Sequence, residues 1–344
     1  MERVQAWLIM LATDINFRWV LMGSIVLGLT GGVVGTFAVL KKVSLIGDVM
    51  SHAALPGIVL AFLWTFQKST PILLAGAFST AFLAAWISMF LPSQRRIKQD
   101  AALAVVLTTF YGMGIILLTI LAKSGSGQQG GLSAYLFGQA ASLVKRDVQT
   151  IALLSMLLII MIVLFYKPLK VYSFDPVFAK TNGLPLSAMN FLLTLLLTLA
   201  IVIGLQTVGV ILMSALLIIP PLTARYLTHR LFPMIVLSAF FGALAGITGA
   251  SLSTLLPRLP TGPLIVLSAT IFFLLAMLFG PERGIMRRLR DAKQLQKTLG
   301  ANLSEQTHRS SVPDPSVAFP YNAHNNAQVT ALSPEYFKTV RKKD

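Results

Sequence analysis

Two residues carry most of the chemistry available in this sequence. Asp48 and His52 stand four positions apart in Gly47-Asp48-Val49-Met50-Ser51-His52. On a helix, positions i and i+4 share a face, so this carboxylate and this imidazole point the same way. Carboxylate oxygen with imidazole nitrogen suits Zn, Mn, Fe or Ni, and the pair lacks the sulfur that favours Cu(I). Two donors do not make a selective metal site. A second copy of the chain, related by a twofold axis beside this helix, would bring two Asp48 and two His52 together. The plainer alternative is a pair that caps a helix or neutralises itself near a membrane surface, since Lys41 and Lys42 lie just before it.

The surroundings make the pair conspicuous. The chain has 344 residues, of which 55% are hydrophobic and 12% charged, with a mean hydropathy of +0.76. A soluble domain carries roughly 25% charged residues, so this chain cannot coat itself for water. A disordered or collagen-like chain is excluded by the same apolar content. The absence of cysteine excludes disulfides, a thiolate metal site and a cysteine nucleophile. A polytopic all-α membrane protein remains. Apolar stretches long enough to span a bilayer, about 20 residues, fall near 19–40, 45–66, 71–91, 101–122, 147–166, 187–204, 207–226, 232–255 and 262–280. They predict a helical bundle of about 8–9 transmembrane helices over residues 19–280, after an N-terminal interfacial segment at 1–18. Before residue 281, Glu2, Asp14, Asp100, Asp147 and Asp175 lie at span ends or in loops, and Asp48 alone falls inside a stretch that reads as membrane-embedded. An aspartate at a helix centre costs roughly 2.5–3.5 kcal/mol on insertion scales, and such residues by default serve a function.

Other residues speak to packing and topology. Gly28 with Gly32, Gly31 with Gly35, and Gly242 with Gly246 form small-xxx-small pairs that let helices approach closely. Pro56-Gly57 predicts a break or kink just after His52, and Pro220-Pro221 predicts one that ends or bends a later span. Basic residues gather at 95–98, 167–180, 225–230 and from 283 onward, which the positive-inside rule assigns to the cytoplasm, leaving the N-terminus outside. The same distribution accounts for the net charge of +16 without nucleic acid as a partner. His229, beside Arg225 and Arg230, reads as a solvated interfacial histidine. Residues 281–344 form a basic cytoplasmic tail too polar to fold alone. No phosphate-binding G-x-x-x-x-G-K-[ST] loop occurs, and no second embedded acid supplies a protease dyad. No catalytic residue and no permanently bound cofactor are expected.

The run from Leu45 through Gly57, centred on Asp48 and His52, resembles the signature of the zinc/manganese/iron family of ABC transporter permeases. Gly31 to Leu40, Arg96 to Ala101, Tyr135 to Gly138, Phe174 to Gly183, Val208 to Pro220 and Gly262 to Leu267 are similar to that family in the same order, over about residues 15–290. The long tail departs from its usual pattern. The resemblance implies a permease of the ABC importer type in the bacterial plasma (inner) membrane, surrounded by lipid. It implies that Asp48 and His52 coordinate a passing divalent metal (Mn, Zn or Fe). It also implies a permease homodimer or closely related heterodimer, separate ATP-binding subunits that hydrolyse ATP, and an extracytoplasmic metal-binding protein. The segment holding Phe174, Asp175, Pro176, Ala179, Lys180 and Gly183 would dock on the ATPase. The rival reading is a secondary metal transporter or channel that works without a partner ATPase.

Overall fold

A computed structural model describes residues 14–65, 69–91, 98–123, 143–255, 260–282, 284–287, 290 and 294. The chain divides into a unit ending at Leu289 and a second, Arg290–Asp344, of which only two helical residues are described. The expectations for most of the tail and for the extreme N-terminus, and the run Tyr135 to Gly138, lie outside the described residues.

Regular structure among the described residues is helical throughout. The first five helices are α1 (Ile15–Leu40), α2 (Ser44–Thr65), α3 (Thr70–Phe90), α4 (Gln99–Lys123) and α5 (Lys145–Leu164). Two short helices follow, α6 (Tyr166–Phe174) and α7 (Pro176–Thr181). The last four are α8 (Leu186–Val208), α9 (Val210–Leu227), α10 (Leu231–Leu255) and α11 (Thr261–Phe279). Eight of them are long and apolar enough to cross a membrane, and α9 has a shorter apolar run, Met213–Leu227. α1 opens at Ile15, inside the segment expected to be interfacial. The cause is Asp14, whose carboxylate accepts the N–H groups of Asn16 at 2.9 Å and Phe17 at 3.2 Å and so caps the helix.

Small residues set the helix spacing. Along α1, Gly28 meets Gly242, Gly32 meets Ser238, and Ser24 meets Gly246, so α1 and α10 run antiparallel with their backbones touching. A Cβ at Gly28 would lie inside the carbonyl of Gly242. The Ser238 hydroxyl closes this contact by donating to the Gly32 carbonyl at 2.7 Å. On another side of α1, Gly31 meets Leu216, and Gly35 meets Leu217 and Pro221, so α9 runs parallel to α1. Helices that cross in alternation give these directions only if α9 also crosses, despite its shorter apolar run.

Neither proline site interrupts its helix. α2 continues through Pro56 to Thr65, and α9 continues through Pro220 and Pro221 to Leu227. Gly57 instead provides close approach, since it packs on Gly76 of α3 so tightly that neither can carry a Cβ without a shift.

The turn between α1 and α2 is short and closed. The N–H of Val43 donates to Ala38 O at 3.0 Å and that of Lys42 to Val39 O at 3.2 Å, the bond pattern of a Schellman cap. Its left-handed position, usually glycine, is Lys42 at φ 59°.

Candidate metal site and coupling segment

Asp48 and His52 stand on one face of α2. The other faces are spoken for: Ile46, Val49, Met50, Ala53 and Ala54 are buried in the core, and Gly47 leaves room for Leu217, which a Cβ there would meet at 3.1 Å. Ser51 turns its hydroxyl back onto the Gly47 carbonyl at 2.8 Å. The site therefore sits on a stretch of helix with little freedom to rotate.

His52 Nε2 lies 3.6 Å from Asp48 Oδ1, beyond the 2.7–3.2 Å typical of a direct N–H···O bond. The side chains differ in access, with Asp48 41% exposed and His52 18%. Two groups contributed by other helices hold them. Ser214 of α9 donates its hydroxyl to Asp48 Oδ1 at 3.2 Å. Tyr111 of α4 presents its ring edge-on to His52, with centroids 4.9 Å apart at 78°. The remaining imidazole nitrogen, Nδ1, is buried without a hydrogen-bond partner among the described residues. Pro56, four residues after His52, has no N–H, so the His52 carbonyl also lacks its usual helical donor. The arrangement is an open oxygen–nitrogen pair, anchored from behind and not closed on itself, and it can offer Asp48 oxygen and His52 nitrogen to a divalent ion.

Among the described residues no group of three His, Cys, Asp or Glu side chains gathers to hold a metal. One chain thus presents two such donors. Ser214 and Tyr111 are not expected from the sequence, because a serine in an apolar run and a tyrosine in a membrane helix carry no distinguishing spacing. His229 is not simply solvated as expected: its Nε2 pairs with Glu282 Oε2 at 2.9 Å.

The residues expected at the ATPase dock form a compact, firmly capped knuckle. The Asp175 carboxylate caps α7 by accepting the Phe178 N–H at 2.9 Å, and Pro176 occupies the first turn, where a missing N–H costs nothing. Gly183, at φ 77°, ends α7 in a second Schellman cap, with its N–H on Lys180 O at 3.1 Å and that of Leu184 on Ala179 O at 3.0 Å. Ala179 is fully buried, whereas Phe174, Val177 and Phe178 are all more than half exposed.

This fold and site define a class: a multi-pass helical membrane protein with an oxygen–nitrogen side-chain pair on one of its helices. The profile of the ABC 3 transport family matches residues 14–280, and the chain belongs to that family. It is a multi-pass protein of the bacterial inner membrane. It is 48% identical over 270 residues to the manganese transport system membrane protein MntC of Bacillus subtilis, which covers 78% of this chain but 62% of that protein. It is 42% identical over 282 residues to the zinc transport system membrane protein TroC of Treponema pallidum, covering 82% of this chain and 95% of that one. Among solved structures it resembles PsaBC from Streptococcus pneumoniae in complex with Fab, with TM-score 0.72, 33% identity, and coverage of 81% of this chain and 97% of that one.

Proposed function

We propose that this chain is the membrane-spanning subunit of an ATP-driven importer that moves divalent manganese or zinc into the cytoplasm. The observation that carries the reading is the open pair on α2, Asp48 Oδ1 and His52 Nε2 at 3.6 Å, with Ser214 holding the carboxylate. Names of relatives that transport manganese and zinc support the cargo. Iron suits the same donors, because oxygen and nitrogen ligands do not separate these metals.

Two copies around a twofold axis would supply two oxygens and two nitrogens to one ion, with water completing the shell. Asp48 contributes charge, and His52 contributes a directional nitrogen that must be neutral to bind. An extracytoplasmic metal-binding protein delivers the ion. Separate ATP-binding subunits dock on the exposed Phe174, Val177 and Phe178, and their closure moves α6 and α7 so that the path opens inward.

The test is metal uptake into vesicles containing the permease with its ATP-binding partner. Asp48→Ala abolishes ATP-dependent uptake while the complex still assembles. Normal uptake by that variant refutes the site, and uptake driven by an ion gradient without ATP refutes the importer.

A further inference from the structure

Tyr172, in α6, is tied to two membrane helices at once. Its backbone carbonyl accepts the Lys41 ammonium at 3.2 Å, and the same Nζ lies 3.7 Å from the centre of its ring. Its hydroxyl donates to Asn190 Oδ1 of α8 at 3.1 Å. Tyr172 is almost fully buried. Burial also lowers the Lys41 pKa and raises that of Tyr172. Within an otherwise apolar bundle, this cluster joins the end of α1, the short helix beside the dock, and the start of α8.

Both ties lead to the metal-bearing helix. Lys41 is the C-cap of α1, and the closed turn after it enters α2 at Ser44, one turn before Asp48. On the other arm, Asn190 Nδ2 donates to Met89 Sδ at 3.2 Å, and Thr194 Oγ1 reaches the same sulfur at 3.4 Å. Thr198, one turn further along α8, donates its hydroxyl to Thr194 O at 2.8 Å and packs against Met50 Sδ at 3.6 Å. Met50 lies between Asp48 and His52 in sequence. The polar side chains of α8 thus repeat every four residues along the face that meets α3 and α2, from Asn190 to Thr198.

We infer that Tyr172 is the positioning residue that links movement of the docking knuckle to α2, so that displacement of α6 shifts the turn at Lys41 and the α8 face together. This rests on the chain being the permease of an ATP-driven importer. A rigid cap at the α1–α2 turn and contacts on a packed face transmit displacement because neither deforms smoothly. Tyr172 touches no ion and acts only through others.

The test uses the permease assembled with its ATP-binding partner in vesicles. Two quantities are measured: metal ions transported per ATP hydrolysed, and equilibrium metal affinity of the same complex. Tyr172→Phe keeps the ring and carbonyl under Lys41 but removes the bond to Asn190. Asn190→Leu removes the same bond from the other side. Each lowers the transport-to-ATP ratio about fivefold, the change set by one hydrogen bond of about 1 kcal/mol, with affinity unchanged. The double variant falls no further than Asn190→Leu alone, because Asn190→Leu already removes the bond that Tyr172→Phe breaks. A ratio within about twofold of the parent, or a fall in affinity that accounts for the lost transport, overturns the inference. Should Tyr172→Phe fail to assemble, Asn190→Leu decides by the same two measurements. Failure of the importer reading is separate, since it shows as uptake driven by an ion gradient without ATP.

Discussion

Replacing Ser214 with alanine tests whether the candidate site is an anchored pair. Ser214 is buried, and its hydroxyl donates to Asp48 Oδ1 at 3.2 Å. A hydrogen bond to a charged group contributes about 1.5–3 kcal/mol when both partners are buried. Two features place this one at the low end. The distance is long for O–H···O, whose mode is near 2.7–2.8 Å, and the carboxylate is 41% exposed, so water replaces part of the lost bond. The remainder, about 1 kcal/mol, corresponds to roughly fivefold in affinity for a bound ion. The mechanism is orientation: with Oδ1 held by Ser214, the carboxylate presents itself beside His52, and without it the side chain samples rotamers that point elsewhere. Partners standing behind metal ligands typically change affinity 10- to 100-fold, so fivefold is a conservative expectation. The assay is equilibrium binding of manganese or zinc to the assembled complex, with Asp48→Ala as the reference for complete loss. Ser214→Thr retains the hydroxyl and retains affinity. Parental affinity in Ser214→Ala refutes anchoring. A loss as deep as that of Asp48→Ala refutes it in the other direction, because Ser214 would then itself be a ligand.

Three further outcomes follow from the geometry. Gly28→Ala drives a methyl into the Gly242 carbonyl and separates α1 from α10; the cost of overpacking, about 1–3 kcal/mol, lowers the thermal unfolding midpoint of the detergent-solubilised protein, and an unchanged midpoint contradicts the backbone contact. Lys42→Gly raises that midpoint, since an L-residue in the left-handed region costs about 1–2 kcal/mol and the added chain entropy of glycine offsets only about 0.5–1 kcal/mol of it. Phe178→Asp weakens association with the ATP-binding subunit by about tenfold or more, because burying one such side chain contributes about 1.5–3 kcal/mol; quantitative co-purification that matches the parent places the dock elsewhere.

Features governed by local rules are legible in the sequence. Asp48 can be read because a charge inside an apolar run has a known cost. The glycine pairs of α1 and α10 can be read because close backbone approach requires small residues at fixed spacing. Asp175, Pro176 and Gly183 turn out to be a cap, a first-turn residue and a left-handed terminus, which explains those residue types from local backbone chemistry alone. At Pro56, Pro220 and Pro221 the helices continue without interruption, because neighbouring helices tolerate the missing N–H groups. Apolar content puts the start of α1 too late, because it marks the span while Asp14 marks the helix.

The hydroxyls expose a different limit. Most described serines and threonines in these helices return to their own backbone: Ser51 to Gly47, Ser88 to Ala84, Thr36 to Gly32, Thr223 to Ile219. That satisfaction is local and carries no tertiary information, so a membrane helix admits such residues almost anywhere. Ser214 belongs to the same population by type and by setting, yet its bond runs to a carboxylate 166 positions away. Tyr172 is equally ordinary in sequence, and its partners lie 131 and 18 positions away. What sets these residues apart is the identity of the atom opposite, which only the packing of α9 on α2, and of α6 on α1 and α8, supplies. The candidate pair is therefore readable from charge in an apolar run, whereas the groups packed against it are readable only from the fold, and substitutions at Ser214 and Tyr172 test whether its position is controlled.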